Sequence, residues 1–299
     1  LVYARSGNKP LMLRRIDELE AKPIPGTENS GLPIFSPDSQ SILFWHANVL
    51  KRLSLSGGAP VSLGVPGEAG TSWGPDNTVL YVADSQHGIY RVSANGGTPE
   101  VVTKVDRDKG ERTHRFPQWL PGGKAFLFTV SHSESETFDD ARIVVQSLST
   151  GQRKVLVEGG TNARYSPTGH LIYARGGTLH AVPFDVNRLA VTGPPVPIAE
   201  GVYQSLVYGH AHFGISNDGT LAYAAGPVIG APRGVFWVDR QGKAEPLPLP
   251  ARAWLHPRIS PDGRLLAIEA EGANHDLFTY EFERGMLTKI TFDGLSHGP

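Results

Sequence analysis

The chain has 299 residues, and its 28 lysines and arginines nearly balance its 29 aspartates and glutamates, which gives a formal net charge of −1. This balance argues against a protein that binds nucleic acid through phosphate contacts. Because the chain has no cysteine, a disulfide framework, a thiolate zinc site and a cysteine nucleophile are excluded. No apolar run approaches the roughly 18 residues that a membrane-spanning helix needs, so we expect no membrane insertion by this chain.

One short pattern occurs six times along the sequence, and each copy combines a large apolar residue, a turn and an apolar strand. The copies read FSPDSQSILF, WGPDNTVLYV, WLPGGKAFLF, YSPTGHLIYA, ISNDGTLAYA and ISPDGRLLAI. Each copy has an anchor residue at the proline position of its turn, and these anchors are Pro37, Pro75, Pro121, Pro167, Asn217 and Pro261. Their mean spacing of about 45 residues is the period of a four-stranded propeller blade.

The residues around each anchor predict strands on both sides of a tight turn. Proline presets φ at the second position of such a turn, aspartate tolerates the third, and glycine suits the fourth. Third strands such as VLKRLSL, GIYRVSA and GVFWVDR follow, and each ends at a turn that contains glycine. Shorter fourth strands then complete the unit. No long stretch has a helical period, so we predict an all-β fold, a β-propeller of four-stranded antiparallel blades.

The repeats divide the chain into the blades of a single β-propeller domain over residues 1–299. The predicted complete blades, numbered here as the first to the sixth repeat, cover residues 30–67, 68–113, 114–159, 160–209, 210–253 and 254–294. Residues 1–28 supply LVYAR, PLMLRR and EAKPIPG, which match the second to fourth strands of a further blade. Residues 295–299 would give that blade its first strand, so seven blades are favoured and six are the alternative.

These motifs resemble the PD40 or TolB-like repeats, which are WD40-related β-propeller repeats of bacteria. Stretches such as FSPDSQSILFWHANVLKRLSLSGGAPVSL and IYRVSANGGTPEVV also resemble the propeller region of bacterial receptor-type serine/threonine kinases. The resemblance implies a propeller that senses or binds a partner in an extracytoplasmic or periplasmic location.

The common catalytic motifs do not occur in the sequence. It contains no GxxxxGK[ST] loop, no HExxH and no GxSxG, and it has neither the HRD nor the DFG motif of a kinase. We therefore expect this chain to act without catalysis, and we assign no catalytic residue. Propeller enzymes assemble their sites from separate blades, so two alternatives stay open. These are a metal-dependent lyase or hydrolase, and the gating propeller of a serine peptidase.

The first strand of each repeat carries the candidate binding residues. Large apolar residues stand two positions before the anchors: Phe35, Trp73, Trp119, Tyr165, Ile215 and Ile259. Side chains alternate between the faces of a strand, so we predict that this parity packs between blades and that the opposite parity faces the central channel. The resulting candidate ligand-binding residues at the channel mouth are His114, Arg115, Arg164, His210, His212, Trp254, His256 and Arg258.

Three interpretations of these residues stay open. The imidazoles could hold a transition metal, with His212 and His256 as ligands. Arg164 and Arg258 could instead bind a carboxylate or another anion through bidentate hydrogen bonds. In the third interpretation the histidines only hydrogen-bond the backbone at strand starts, and they recur because the blades recur. We expect no resident cofactor, with a divalent metal as the alternative.

The sequence therefore predicts a monomeric, non-enzymatic binding or interaction scaffold. We expect its partner to be a protein, a peptide or a small ligand at the channel-mouth face, where strands form a rigid floor and loops supply specificity. By the resemblance, the chain is expected to be the sensor propeller of a receptor-type kinase or a TolB-like envelope protein.

Overall fold

The computed structural model describes residues 1–4, 7, 9–15, 17–67, 70–84, 87–133, 135, 137–271 and 275–292. Regular structure in these residues is β-strand, apart from two 3-10 helices of three residues each, Arg107–Lys109 and Phe138–Asp140. The described residues contain no helix that is long and apolar enough to span a bilayer.

The N-terminal segment and the first two repeats form three antiparallel sheets, each with its strands paired in chain order. The N-terminal sheet consists of β1 (Val2–Tyr3), β2 (Met12–Leu13) and β3 (Lys22–Pro23). The first repeat forms β4 (Ser30–Phe35), β5 (Ser41–His46), β6 (Val49–Ser54) and β7 (Val61–Pro66). The second repeat forms β8 (Thr71–Trp73), β9 (Thr78–Val82), β10 (Ile89–Ser93) and β11 (Glu100–Val101).

The third and fourth repeats form the two most regular sheets. The third consists of β12 (Glu111–Trp119), β13 (Ala125–His132), β14 (Arg142–Ser147) and β15 (Arg153–Glu158). The fourth consists of β16 (Thr161–Ser166), β17 (His170–Arg175), β18 (Thr178–Asp185), β19 (Ala190–Val191) and β20 (Val196–Ala199). In the fourth sheet both β19 and β20 pair with β18.

The fifth repeat is divided, whereas the sixth again forms one sheet. The strands around the fifth repeat are β21 (Gln204–Ser205), β22 (Phe213–Ile215), β23 (Leu221–Tyr223), β24 (Val228–Ile229), β25 (Phe236–Val238) and β26 (Ala244–Pro246). They form three separate two-stranded sheets, in which β21 pairs with β24, β22 with β23 and β25 with β26. The sixth repeat forms β27 (Ala253–Ile259), β28 (Leu265–Glu271), β29 (Asp276–Glu281) and β30 (Met286–Lys289).

The sheets are arranged as a β-propeller of antiparallel blades, as the sequence predicts, and the first, second, third and sixth repeats each form a four-stranded sheet. The predicted four-stranded blade is not formed in the fifth repeat, where β21 and β24 are parallel. The first strands of successive repeats are neighbours, with β4 beside β8, β8 beside β12, β12 beside β16 and β16 beside β22. The first strands therefore surround a common axis and the later strands lie outside them. The predicted closing strand at residues 295–299 lies outside the described residues.

The hydrophobic cores lie between consecutive sheets. One cluster joins Leu43 of β5 to Val79 of β9, and the next joins Leu80 of β9 to Phe126 of β13. The sheets of the first to fourth repeats are thus covered on both faces. The predicted packing between blades is confirmed for five of the six large apolar residues, Phe35, Trp73, Trp119, Tyr165 and Ile215. It is wrong for Ile259, which is 48% exposed.

A β-bulge recurs in the first strand of four repeats. Between the two paired positions that flank each bulge, the first strand advances by three residues, whereas the second strand advances by only two. One residue of each bulge has a positive φ, and these residues are Leu32 (50°), Phe116 (54°), Asn162 (54°) and His256 (48°). The extra residue reverses the alternation of side chains along the part of the strand that precedes it.

Candidate functional site

The bulge of the third repeat changes which face of the sheet carries each candidate residue. Arg115 and Gln118 pair with residues two apart on β13, so both side chains lie on the face toward the fourth repeat. His114 lies on the opposite face, toward the second repeat. Strict alternation of side chains along β12, which the sequence analysis assumed, would place His114 on the same face as Gln118. That prediction is wrong because the bulge lies between the two residues and because both faces of the sheet are packed against neighbouring blades.

His114 is fully buried between the second and third repeats. Its Nδ1 atom lies 2.8 Å from Thr103 Oγ1, and its Nε2 atom lies 2.9 Å from Glu111 Oε2. Burial lowers the pKa of His114, and the nearby Glu111 carboxylate only partly offsets this effect. Both ring nitrogens are used inside the protein, so this imidazole acts as a polar link between blades.

Trp254 is also a core residue. Its side chain is 4% exposed and meets the Phe278 ring edge-on, with 5.4 Å between the ring centroids. The indole N–H donates a hydrogen bond to the Pro250 carbonyl at 2.8 Å. The prediction that Trp254 is exposed at the channel mouth is therefore wrong, because β27 directs this side chain into the core of the sixth repeat.

Arg164 and Arg258 occupy equivalent positions in β16 and β27. The Nη1 atom of each donates to the carbonyl of the preceding residue, at 3.2 Å for Arg164 and 3.0 Å for Arg258. Arg258 is exposed, whereas Arg164 is half-buried, and burial lowers the pKa of Arg164 to about 10. A joint anion pocket of these two arginines stays a prediction.

His256 lies on the sixth repeat beside a buried carboxylate. Its Nδ1 atom is 2.9 Å from Glu269 Oε2, and His275 Nδ1 is 2.5 Å from Glu269 Oε1. The Glu269 side chain is 2% exposed, whereas that of His256 is 59% exposed. This carboxylate holds the two imidazoles in place on the sixth repeat.

The segment of residues 203–212, called the mouth segment below, crosses the start of the inner strands of the third and fourth repeats. Thr161, the first residue of β16, donates its hydroxyl hydrogen to the Gly209 carbonyl at 2.9 Å. Arg115 Nη1 donates to the Tyr208 carbonyl at 3.0 Å. Two inner strands therefore fix the path of this segment.

Gly209 allows the mouth segment to approach the third repeat closely. Its φ is +79°, and a Cβ atom here would lie 2.5 Å from the Phe138 ring and 3.1 Å from the Phe116 ring. Phe138 is 1% exposed, and the Arg115 guanidinium lies over its ring at 5.0 Å from the centroid. A glycine is needed here both for the left-handed backbone and for the space.

Four rings of the mouth segment lie close to one another, and the charge of Arg115 acts on one of them, His210. The His212 ring centroid lies 4.6 Å from that of Tyr203 and 5.3 Å from that of His210. The His210 centroid lies 6.3 Å from that of Tyr208. These four residues and Arg115 are called the mouth cluster below. Tyr208 and His212 are exposed and Arg115 is buried, so the cluster combines accessible rings with a buried cation.

The electrostatics of the mouth cluster favour an anion. Burial, and then the positive charges of His212 and Arg115, lower the pKa of His210. Burial likewise lowers the pKa of His212. Among the described residues no carboxylate acts on either pKa. Both imidazoles are therefore neutral near pH 7, and an anion beside them would stabilise their protonated forms.

Three buried polar atoms near the mouth cluster have no hydrogen-bond partner among the described residues: Thr113 Oγ1, Ser131 Oγ and Asn162 Oδ1. The Thr113 and Ser131 side chains lie on the same face of the third sheet as Arg115. The Asn162 Nδ2 atom donates to the Ala211 carbonyl of the mouth segment at 2.9 Å. Because an unsatisfied buried polar group costs about 1–3 kcal/mol, these atoms favour a polar occupant nearby.

The two histidines predicted as metal ligands have different partners. His212 contacts Tyr203 and His210 in the mouth cluster, whereas His256 contacts Glu269. The part of the chain that the structure describes has no group of three histidine, aspartate or glutamate side chains arranged to hold a metal ion.

Of the eight candidate residues, the structure brings three together, Arg115, His210 and His212. The sequence analysis missed Tyr203, Tyr208 and Phe138 at the same place. A signal for the two tyrosines existed in YQSLVYGHAH, which puts two tyrosines and two histidines into ten residues just before β22. Phe138 gave no such signal, because it lies in a polar loop far away in the sequence.

Comparisons with known proteins concern the fold alone. No protein-family model and no curated protein matches the chain. It is similar to the solved structure of TolB from Acinetobacter baumannii, with 20% identity and a TM-score of 0.44, over 87% of this chain and 63% of that one. It is also similar to the β-propeller domain of Cps50 (Swd1) from Myceliophteria thermophila, with 14% identity and a TM-score of 0.45, over 87% and 84% of the two chains.

A third similar structure is puromycin hydrolase, with 15% identity and a TM-score of 0.47, over 96% of this chain and 51% of that one. The chain thus spans less than two thirds of the TolB chain and about half of the hydrolase chain.

Proposed function

We propose that the chain is a non-enzymatic binding scaffold that holds a carboxylate-bearing ligand at the mouth cluster. The observation that carries the proposal is the meeting of Arg115, His210 and His212 beside the Tyr203 and Tyr208 rings, where no carboxylate of the described residues shifts the pKa of either histidine. A buried guanidinium beside two imidazoles favours an anion, and a free carboxylate is common to peptides, proteins and small metabolites.

Each part of the mouth cluster has a separate role in this proposal. Arg115 is 8% exposed, so its positive charge acts in an environment of low dielectric constant and attracts an anion strongly. His210 and His212 take up protons when the anion binds, because its charge raises their pKa. The Tyr203 and Tyr208 rings supply an apolar rim that packs against the rest of the ligand.

The wider biological assignment rests on the sequence resemblance. We propose that this propeller is the sensor or protein-interaction part of a bacterial receptor-type kinase or of a TolB-like envelope protein. An extracytoplasmic or periplasmic location belongs to the same proposal, and so does a monomeric state. Size-exclusion chromatography with light scattering tests the monomer directly.

Isothermal titration with succinate and succinamide tests the binding proposal. The two probes have nearly the same size, but only succinate carries carboxylates. We expect succinate to bind at least about tenfold more tightly, which corresponds to about 1.4 kcal/mol. The variant His210→Ala/His212→Ala is expected to lose most of this preference.

His170→Ala is the matched control for this titration. His170 begins β17 at the far end of the fourth repeat, where its Nδ1 atom lies 3.0 Å from the Thr168 carbonyl. The His170→Ala variant lacks one imidazole but keeps the mouth cluster intact, so its affinity for succinate should equal that of the unchanged chain. Equal affinity for the two probes, or no effect of the double variant, would overturn the proposal.

The enzymatic alternatives stay predictions from the sequence. A thermal-unfolding scan of metal-stripped protein with manganese, zinc, nickel and calcium ions tests the metal-dependent one. Specific binding to the folded state raises the midpoint in proportion to the logarithm of the ion concentration. A rise that depends on His212 and His256 would favour the metalloenzyme over the scaffold.

A further inference from the structure

Side-chain acceptors join the first strands of neighbouring repeats in the inner part of the propeller. Ser72 Oγ accepts a hydrogen bond from the Trp119 amide at 3.0 Å. Gln118 Oε1 accepts one from the Tyr165 amide at 2.6 Å. Each acceptor stands three positions before the anchor of its repeat, and each amide stands two positions before the anchor of the next repeat. The positions of these groups therefore recur from one blade to the next.

Arg164 and Ile215 occupy the corresponding positions between the fourth and fifth repeats, where β16 lies beside β22. The Ser216 amide donates to the Thr220 carbonyl, across the turn that leads into β23. Because successive amides of a strand point to opposite edges, the Ile215 amide points away from β23, to the inner edge of β22. A guanidinium only donates hydrogen bonds, so Arg164 cannot serve this amide as an acceptor.

The Arg164 side chain lies on the face of the fourth sheet that covers the fifth repeat. Arg164 pairs with Ile172 of β17, and opposite residues of an antiparallel pair share a face. Ile172 belongs to the hydrophobic cluster that also contains Phe213 and Ile215 of β22. The Arg164 side chain therefore starts from the apolar interface between two blades.

The positive charge of Arg164 has no counter-charge in the described part of the chain. Its guanidinium has one hydrogen-bond partner among the described residues, the Ala163 carbonyl, 3.2 Å from Nη1. A guanidinium has five N–H donors, so several are left for another acceptor. Burial lowers the pKa of Arg164 to about 10, and no carboxylate of the described residues offsets this effect. The group is still charged at neutral pH, and a half-buried cation of this kind favours a counter-ion.

We propose that the fourth and fifth repeats hold a small monovalent anion such as chloride between the Arg164 guanidinium and the Ile215 amide. The anion accepts from both groups and takes the place that Ser72 and Gln118 fill between the earlier repeats. One negative charge balances that of Arg164, whereas a divalent anion would leave an unpaired charge beside apolar side chains. Ile34, at the same position of the first repeat, brings no charge for an anion to balance.

This anion would link two blades and would not be the ligand of the mouth cluster. Thr161 holds the mouth segment through its hydrogen bond to the Gly209 carbonyl. Arg164 follows Thr161 by three positions along β16. The two sites are therefore built from separate residues, and the anion site does not depend on the proposed function.

Chloride-dependent stability tests the site in solution. Thermal unfolding is followed as sodium chloride replaces sodium gluconate at constant ionic strength, because gluconate is too large to enter between two strands. A ligand of the folded state raises the unfolding midpoint, and we expect a rise of at least about 2 °C in chloride for the unchanged chain. Arg164→Gln should lose this rise, because its amide oxygen can accept from the Ile215 amide as Gln118 accepts from Tyr165.

Arg258→Gln is the matched control. Arg258 occupies the same position in the sixth repeat and also donates to the carbonyl before it, at 3.0 Å, but it is exposed. This variant should keep the chloride-dependent rise. The variant His210→Ala/His212→Ala should keep it too, which separates this site from the mouth cluster. No rise in the unchanged chain, or the same rise in Arg164→Gln, would overturn the proposal.

A crystal of the unchanged chain soaked in sodium bromide gives an independent readout. Bromide replaces chloride at its sites and is located by its anomalous scattering. We expect a bromide ion within hydrogen-bond distance of both the Arg164 guanidinium and the Ile215 nitrogen. Bromide at other places and none between these two groups would overturn the proposal, even if the Arg164→Gln variant fails to fold.

Discussion

The Gln118 side chain joins the third repeat to the fourth by accepting a hydrogen bond from the Tyr165 backbone amide, 2.6 Å from Gln118 Oε1. The same relationship occurs one blade earlier, where Ser72 Oγ accepts from the Trp119 amide at 3.0 Å. At the next equivalent position stands Arg164, which has no acceptor to offer. The side-chain acceptor that links neighbouring first strands is therefore replaced by a donor in the fourth repeat, beside the mouth segment.

The variant Gln118→Leu should lower the free energy of unfolding by about 1–3 kcal/mol, because the Tyr165 amide loses its acceptor in a partly buried position. Urea unfolding followed by circular dichroism measures this loss. Gln152→Leu is the matched control. Gln152 is exposed at the turn between β14 and β15, so its change should stay within about 0.5 kcal/mol. Equal losses of unfolding free energy in the two variants would contradict a stabilising role of the hydrogen bond between Gln118 and the Tyr165 amide.

The fold could be predicted from the sequence because the residue patterns that indicate it are local. Turns such as that at Pro37 depend on neighbouring residues only, and their spacing sets the blade period. The recurring bulge also had a local signal, since proline follows the bulged residue at Leu32, Phe116 and His256. Proline cannot donate to the strand ladder, and within sheets it is restricted to edges and bulges.

The candidate site depends on contacts that the sequence does not reveal. Tyr208 reaches Arg115 because the mouth segment folds back across two blades, and 93 positions separate the two residues. His114 is buried because both faces of the third sheet are covered, and Trp254 is buried because it packs against Phe278 within the sixth repeat. A strand pattern gives the parity of a side chain, but it does not tell which neighbour covers each face.

Gly209→Ala should cost more stability than Gly201→Ala. Both glycines have a positive φ, +79° and +67°, so each alanine adds about 1 kcal/mol of backbone strain. Only at Gly209 would the new Cβ meet the Phe138 ring, whereas nothing lies within 4 Å of a Cβ at Gly201. Overpacking adds about 1–3 kcal/mol at Gly209. Urea unfolding measures both variants.

Succinate titration of the same two glycine variants separates the site from general stability. Gly209→Ala should also weaken succinate binding, because it displaces the mouth segment, whereas Gly201→Ala should leave binding unchanged. Similar unfolding free energies for the two variants would contradict the close packing against Phe138.

Stability should fall as the pH drops below about 6.5, partly through His114. Burial lowers the pKa of His114 in the folded chain below the usual value of about 6.5 for a histidine. The unfolded chain therefore binds a proton first, which favours unfolding by up to about 1.4 kcal/mol for each pH unit below 6.5. Urea unfolding at pH 7.5, 6.5 and 5.5 measures this slope.

The variant His114→Gln should be less stable at pH 7.5 but should show a shallower decline toward pH 5.5. His87→Gln is the control, because His87 is exposed and pairs with Asp84 on the surface at 2.7 Å. An unchanged slope in His114→Gln would mean that this imidazole is protonated in the folded protein, contrary to its burial.

Succinate should bind more tightly as the pH falls from 7.5 to 5.5. His210 and His212 have lowered pKa values in the free protein, chiefly because they are buried. A bound carboxylate raises both, so binding takes up protons, and affinity rises by up to about tenfold per pH unit for each proton taken up. Titration in two buffers with different ionisation enthalpies counts these protons. The variant His210→Gln/His212→Gln should bind with a nearly constant affinity over this range, whereas His170→Gln should keep the full dependence. A constant affinity in the unchanged chain would mean that the two imidazoles do not face the carboxylate, and Arg115 alone would then account for the binding.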